Sequence, residues 1–433
     1  MSVKILLRPF LFVFQLLNRI FWSGLNGRNV FRFVLTFWIN FSPVFLWLMI
    51  FKNAGLIPND IRPKIYVKFA MLTDDYMFTI GKFGSSISLI TICVASWLIY
   101  IVFYRKESES SDTKYESLDL ESFELDTMES TPEPLPQQDF QEDEHIKTLE
   151  FFDTLSSNTI TTQCDSINER ILNQIKLNGN KPINCWNLAP PILLASSWFI
   201  LNLAYWCREP LYVQKDLLAW FSYVLLHFFA PLFTAIWLYV FHAPGSLKLF
   251  SFALGMQNIS GVFTHLLFPN APPWFIHKYG PDAEANYDLP GYAAGLTRVD
   301  LAMGTHMHSD GFHKSPIVFG ALPSLHSAMA VMCFFFVSYY SRWTFLKIAA
   351  LSFVILQWWA TIYLDHHWRL DLIAGLLYAI TSFTLLYVWK GGFRRVDRNF
   401  VDARLRYDFR NGSTMGMRVF RNTKLQNFFD PLS

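Results

Sequence analysis

Eight long apolar stretches alternate with shorter polar segments along the chain. Most are nearly free of charge and long enough to cross a hydrocarbon layer of ~30 Å as an α-helix. The predicted spans are 31–51, 86–104, 189–206, 217–241, 246–267, 326–341, 345–364 and 371–389. The third and sixth have the weakest pattern. The pattern predicts an all-α polytopic membrane protein with about eight transmembrane helices.

The polar segments divide the chain into four regions. Region 1–104 holds an amphipathic, membrane-surface segment and the first two spans. Region 105–160 is acidic and rich in Ser and Pro, a composition typical of a disordered cytosolic insert. Region 186–390 holds the other six spans and is the predicted catalytic core. Region 391–433 is a predicted basic cytosolic tail.

Composition and charge support a membrane location. The chain is 52% hydrophobic and 16% charged, which is too apolar for most soluble enzymes. Residues 105–150 contain 15 acidic and 4 basic residues, so the other regions are basic overall. Because basic loops stay in the cytosol, we expect both termini to be cytosolic. The loops 207–216, 268–325 and 365–370 would then face the lumen or the exterior. We expect no nucleic-acid partner.

The cysteines and most histidines do not form a metal pattern. The five Cys residues contain no CxxC pair, so we expect no disulfide framework, structural metal or cofactor. A metal site at His306, His308, Asp310 and His313 stays an alternative, although their spacing fits no zinc pattern well. A polar loop beside an anionic substrate explains these residues equally well.

Two short strings contain the candidate chemistry: PSLHS at 323–327 and HHWRLD at 366–371. On a helix, His367 and Asp371 would lie one turn apart on one face. The carboxylate could then fix the imidazole tautomer and leave the other ring nitrogen as a nucleophile. The sixth span begins at His326 and the seventh returns to the same membrane face, so His326 and His367 should share a pocket. One could be the nucleophile and the other the general acid and base.

These two strings resemble the motifs of the type 2 phosphatidic acid phosphatase superfamily. The resemblance implies a six-helix core and a metal-free histidine nucleophile. His367 would be the nucleophile, Asp371 its orienting carboxylate and His326 the acid and base. Ser324 would help to hold phosphate oxygens.

The chain departs from that pattern at two positions. Leu325 replaces a usual Gly, and Thr361 replaces an Arg six residues before the nucleophile. The phosphate then needs other partners, and the candidates are Arg298, Lys314 and His313 in the same lumenal segment. Arg suits bidentate phosphate binding, and Lys acts as a point charge. For Arg298, a salt bridge with Asp300 or Asp288 is the competing interpretation.

Longer strings narrow the resemblance to the fungal inositol phosphorylceramide synthase group and its inositolphosphotransferases. They include FGALPSLHSA, WWATIYLDHHWRLD, GLTRVD and SPIVFG. The resemblance implies a Golgi enzyme that moves inositol phosphate from phosphatidylinositol to a mannosylated inositolphosphoryl-ceramide. The alternatives are ceramide as acceptor, hydrolysis by a lipid phosphate phosphatase, or a transporter or scaffold that binds lipid without turnover.

Several aromatic and histidine residues keep two interpretations. On a helix His366 would point about 100° from His367, which favours a structural or hydrogen-bonding role. His227, His242 and His265 have two interpretations of equal weight. They are either functional residues or neutral histidines that form hydrogen bonds between helices. Trp358 and Trp359 could be active-site walls, but we expect them to anchor the membrane interface.

Overall fold

The computed structural model describes residues 3–116 and 185–433. Within these ranges it is helical, with isolated β-bridges and no strand. In chain order, the α-helices are α1 (Val3–Leu25), α2 (Val30–Asn53), α3 (Phe69–Phe78), α4 (Phe83–Glu116), α5 (Ala189–Trp206), α6 (Val213–Trp220), α7 (His227–Phe241), α8 (Ser246–Leu267), α9 (Pro273–Tyr279), α10 (Leu296–Met303), α11 (Met307–His313), α12 (Leu325–Tyr340), α13 (Thr344–Tyr363), α14 (Arg369–Val388), α15 (Phe393–Leu405) and α16 (Met415–Val419). A π-helical turn, Phe221–Leu226, joins α6 to α7.

Helices occupy all eight predicted span positions, with α6 and α7 forming the fourth. Six of the eight are long and apolar enough to cross a membrane. The other two are α12, which has 16 residues, and α8, which buries Gln257, Asn258 and His265. The all-α polytopic fold class is therefore confirmed, and the number of eight crossings stays a prediction. Residues 105–116 of the predicted acidic insert continue α4, and its remainder lies outside the described residues.

Helix α12 is the centre of the bundle. All side chains from Ser327 to Phe336 are buried, and α7, α8, α13 and α14 pack around them. A helix that is buried on every face is enclosed by other helices rather than by lipid. By contrast, α2 buries no side chain and presents large apolar residues on its surface, as expected of a helix that faces lipid.

Hydrogen bonds join α12 to α13 and α14. The Ser324 amide donates to the Asp371 carbonyl at 2.9 Å, and the Ser327 hydroxyl donates to the Leu372 carbonyl at 2.8 Å. The Trp358 indole donates to the same hydroxyl at 2.8 Å. The expectation that Trp358 anchors the membrane interface is therefore wrong, because its side chain is fully buried in this contact.

The two ends of the bundle differ. At one end, β-bridges from Tyr66 to Asn270 and from Asn270 to Gly320 gather the loops beside α9–α11. At the other end, Arg418 of α16 donates to the Ser23 carbonyl of α1 at 3.0 Å, and Arg342 donates to the Asp430 carbonyl at 3.1 Å. The N-terminal helix and the C-terminal tail therefore meet at the end of α12 that is remote from His326.

Substituting Gly375 should loosen the contact between α12 and α14. A methyl group there would lie 2.2 Å from the Ser324 carbonyl oxygen and 2.9 Å from Ser327 Cβ. Overpacking of this kind costs about 1–3 kcal/mol or more. Gly375→Ala should lower the melting temperature of the purified protein. Gly311→Ala is the control, because nothing lies within 4 Å of its added methyl group. Equal melting temperatures for the two variants would contradict the packing argument.

Candidate active site

A cavity of about 160 Å³ opens where α12 and α14 begin, under the loops that cover this end of the bundle. Four imidazoles line it, together with apolar and aromatic side chains. The residues that matter most are His265, His326, His366, His367, Tyr223, Trp274, Tyr292 and Phe312. No Lys or Arg of the described residues belongs to the lining. The cavity therefore combines groups that can exchange protons with walls that exclude water.

His367 is held by oxygen atoms on one side of its ring. Nδ1 lies 3.1 Å from the Ala321 carbonyl oxygen and 3.5 Å from Asp371 Oδ2. A ring nitrogen that faces two acceptor oxygens carries the proton, which leaves Nε2 with its lone pair. The nearer partner, Ala321, is missing from the sequence prediction, because a backbone carbonyl leaves no trace in the residue types.

The local structure around His367 differs from the prediction. Helix α14 begins at Arg369, so His367 lies in the preceding loop and not on a shared helical turn with Asp371. The Thr361 carbonyl holds the loop by accepting from the His366 and His367 amides at 3.1 and 3.4 Å. Asp371 Oδ2 accepts from the Trp368 amide at 2.8 Å and thereby caps α14. The carboxylate still reaches the imidazole, although by a different backbone path.

His326 lies on the first turn of α12, with its ring centroid 5.6 Å from that of His367. Its ring stacks on Tyr223 at 4.3 Å and lies 4.3 Å from that of His227. Tyr223 belongs to the π-helical turn, a feature that is frequent at functional sites. The structure thus brings His326 and His367 into one cavity, and their catalytic roles stay predictions.

Ser324 caps α12 rather than facing open space. Its side chain is fully buried, and its hydroxyl oxygen accepts from the Ser327 amide at 3.3 Å. His313 and Lys314 lie at the end of α11 and are exposed. Lys314 precedes Ser315, which lines the cavity.

Arg298 forms a salt bridge with Asp216. Its Nε donates to Asp216 Oδ1 of α6 at 2.8 Å, and its guanidinium lies 5.3 Å from the centroid of the Tyr363 ring. It is not among the residues that line the cavity, and its role in phosphate binding stays a prediction. The alternative of a salt bridge was correct in kind, but its partner is Asp216 and not Asp300 or Asp288.

Asp300 and His308 form a hydrogen-bonded network under the α10–α11 loop. Asp300 accepts from His308 Nδ1 at 2.6 Å and from the Ser309 amide at 2.9 Å, and Trp220 donates to His308 Nε2 at 2.9 Å. Burial opposes ionisation of Asp300, but these hydrogen bonds hold its pKa well below the usual range. His308 therefore fastens this loop to α6. The described residues contain no group of three or more side chains suited to a metal ion.

Lys278 is a rim residue that the sequence prediction missed. Its Nζ lies 4.3 Å from the centroid of the Tyr292 ring, and Tyr292 lines the cavity. The lysine is exposed on α9 and lies in no recognised phosphate motif. Only the folding of the 269–321 segment brings its charge to the cavity entrance.

Arg369 fixes the start of α14. Its Nη2 donates to Asp74 Oδ2 at 2.7 Å and its Nη1 to Asn202 Oδ1 at 2.9 Å, while Asp74 Oδ1 accepts from the Leu370 amide at 2.9 Å. Both charged side chains are buried. The pair ties α14 to α3 and α5, and thereby sets the position of the loop that carries His367.

The same loop is tied to the surface by Asp365. Its carboxylate lies 2.6 Å from His277 Nδ1, and its carbonyl accepts from the Trp274 amide at 3.1 Å. Asp365 has a φ of 66°, a left-handed conformation that is uncommon outside glycine. Because Trp274 lines the cavity, these contacts couple one cavity wall to the loop with His366 and His367.

Comparison with known proteins gives a family and several relatives. The model of the PAP2 superfamily matches residues 196–385. Inositolphosphotransferase 1 of Saccharomyces cerevisiae is 32% identical, with 95% of this chain and 97% of the relative covered. The catalytic subunit of inositol phosphorylceramide synthase from the same yeast is 43% identical over 39% of this chain and 42% of its own. Phosphoinositol dihydroceramide synthase of Bacteroides thetaiotaomicron is 31% identical over 35% of this chain and 48% of its own. No solved structure matches the chain.

Removing Asp74 should destabilise the fold strongly. Asp74→Ala would leave the Arg369 guanidinium buried without its charge partner, which costs about 3–5 kcal/mol. The melting temperature in lipid nanodiscs should fall by several degrees or more. The control is Asp282→Ala, which breaks an exposed ion pair with Lys68 and should change little. Equal effects of the two substitutions would show that the buried pair does not hold α14.

The His277–Asp365 contact predicts a pH dependence. The hydrogen bond that His277 donates to Asp365, together with the negative charge of Asp365, raises the pKa of His277. A histidine whose pKa rises on folding stabilises the folded state at pH values below its unfolded pKa of about 6.5. This stability is lost as the pH rises through the pKa of the folded state. His277→Asn should lower the melting temperature more at pH 6 than at pH 9. The difference should be small, because half of the His277 side chain is exposed. An effect that is independent of pH would contradict the ion pair.

Proposed function

This chain belongs to the PAP2 superfamily, within its inositolphosphotransferase group, and we propose that it transfers inositol phosphate between lipids. The donor is phosphatidylinositol, the acceptor is a mannosylated inositolphosphoryl-ceramide, and diacylglycerol is released. The observation that carries the proposal is the shared cavity of His326 and His367, whose ring centroids are 5.6 Å apart. Two imidazoles at this distance can reach the same phosphate group.

In the first step, His367 Nε2 attacks the phosphorus of phosphatidylinositol. Ala321 and Asp371 hold the proton on Nδ1 and stabilise the positive charge that develops on the ring. The bond from phosphorus to the diacylglycerol oxygen breaks, and protonated His326 donates a proton to that oxygen. Diacylglycerol leaves, and inositol phosphate remains bound to His367.

In the second step, neutral His326 accepts the proton of an acceptor hydroxyl. The oxygen of that hydroxyl attacks phosphorus, and the bond to His367 Nε2 breaks. Inositol phosphate is then bound to the sphingolipid, His367 is free, and His326 is protonated for the next cycle. Asp371 remains a carboxylate throughout.

The phosphate charge needs partners beyond the two histidines. We propose Lys314 and Lys278, which adjoin lining residues, as the cations, with His313 and the start of α12, capped by Ser324, as polar neighbours. Arg298 is engaged by Asp216, so it acts indirectly, by holding α10 against α6. Solvent and salt screen the charges of these exposed lysines. We therefore expect the lysines to affect substrate affinity more than the rate of the chemical step.

Transfer is favoured over hydrolysis by the aromatic walls of the cavity. Trp274, Tyr292 and Phe312 surround the reacting groups and reduce the access of water to the phosphohistidine. The acceptor assignment rests on the family resemblance, and the relative that matches along nearly its whole length is named an inositolphosphotransferase. Ceramide is the alternative acceptor, since synthases of inositol phosphorylceramide match 39% of the chain.

We further propose that the site faces the Golgi lumen and that both termini are cytosolic. The support is the meeting of α1 and the basic tail at the end remote from His326, which fits the positive-inside rule. The Golgi itself rests on the family resemblance.

The test uses purified protein in nanodiscs with phosphatidylinositol labelled in the inositol ring. Each acceptor is supplied separately: ceramide, inositolphosphoryl-ceramide, or its mannosylated form. Labelled product on the mannosylated lipid is expected, and His367→Ala should abolish it without lowering the melting temperature much. Product on ceramide alone would assign a different acceptor. Free inositol phosphate as the main product would indicate a hydrolase, and no product in any reaction would indicate a carrier.

A further inference from the structure

His366 lies in the cavity beside His367 and takes no part in the proposed chemistry. Its side chain is 5% exposed. Its ring stacks between two aromatic rings, with centroids 4.9 Å from Tyr223 and 4.9 Å from Phe312. Such a sandwich fixes the plane of the imidazole, so its ring nitrogens point in set directions.

The two ring nitrogens of His366 have different surroundings. Nε2 is buried without a partner among the described residues, so the hydrogen bond that the ring donates to the Ala293 carbonyl is assigned to Nδ1. Burial, with the neighbouring His367, lowers the pKa of His366 to about 3, so the ring is neutral at physiological pH. With the proton on Nδ1, Nε2 offers only a lone pair.

A buried lone pair of this kind needs a donor, and only one part of the donor lipid can supply it. The phosphodiester carries no proton, and the acyl esters have only acceptor oxygens. In phosphatidylinositol every O–H group belongs to the inositol ring. A polar atom that is buried without a partner costs free energy, which a ligand hydroxyl would recover.

We infer that His366 is a specificity residue whose Nε2 accepts a hydrogen bond from one hydroxyl of the inositol ring. This inference rests on the proposed function, since it assumes that inositol phosphate is the transferred group. The ring would lie beside Phe312 and Tyr223 while its phosphorus meets His367. Head groups without a hydroxyl at that position leave Nε2 unpaired and react more slowly.

Two substitutions separate the two nitrogens of His366. His366→Asn keeps an amide N–H near the position of Nδ1, for Ala293, and removes the acceptor at Nε2. His366→Gln extends an amide oxygen toward the position of Nε2 and gives up the bond to Ala293. The pair therefore distinguishes substrate recognition from structural support, and melting temperatures report the structural part.

The probes are phosphatidylinositol and analogues that each lack one ring hydroxyl, assayed for transfer by the full-length protein in nanodiscs. The wild type should discriminate against one analogue by about tenfold in kcat/KM, the size of one hydrogen bond. His366→Asn should lose about tenfold on phosphatidylinositol and accept that one analogue as well as the parent lipid. His366→Gln should retain most of the discrimination.

Three results would overturn the inference. They are full activity of His366→Asn, unchanged discrimination by that variant against every analogue, or a loss that appears only in KM for the acceptor. The last result would assign Nε2 to an acceptor hydroxyl. A wild-type protein that transfers nothing from phosphatidylinositol would instead defeat the proposed function.

Discussion

The contact between the first turns of α12 and α14 determines the geometry of the whole site. Ser324 donates its amide to the Asp371 carbonyl, and Ser327 donates its hydroxyl to the Leu372 carbonyl. His326 lies between these two serines, and His367 lies four residues before Asp371. These bonds are buried, where a broken hydrogen bond is costly, so the contact is rigid. The separation of the two imidazoles follows from it.

The second constraint is charge. The cavity is apolar and aromatic, and within the described residues its lining has histidines but no Lys or Arg. When one imidazole in the cavity is protonated, it disfavours a positive charge on its neighbours. An anionic phosphodiester has the opposite effect and favours a protonated imidazole. In the proposed reaction, binding of the lipid phosphate would itself promote protonation of His326. The acid would then be ready when its substrate is present, and the rim lysines would add longer-range attraction.

Much of the fold could be predicted from the sequence, because long apolar stretches in a bilayer have few alternatives to helix. The return of the chain to one membrane face was enough to predict that His326 and His367 meet. The backbone around His367 could not be predicted, since a helical period does not reveal that α14 begins two residues later. The partners of Arg298 and Arg369 were hidden as well. Asp216 and Asp74 are distant in the chain, and charge pairs across such distances leave no local pattern. Trp358 shows the same limit, because a buried indole and an interfacial one look alike in sequence.

The central claim is that inositol phosphate passes through a covalent bond to His367. The most direct test follows the configuration at phosphorus, using phosphatidylinositol made chiral there by isotopic substitution. Each of the two displacements inverts phosphorus, so the sphingolipid product should show overall retention. Overall inversion would mean that the acceptor attacks the donor lipid directly, and it would contradict the account.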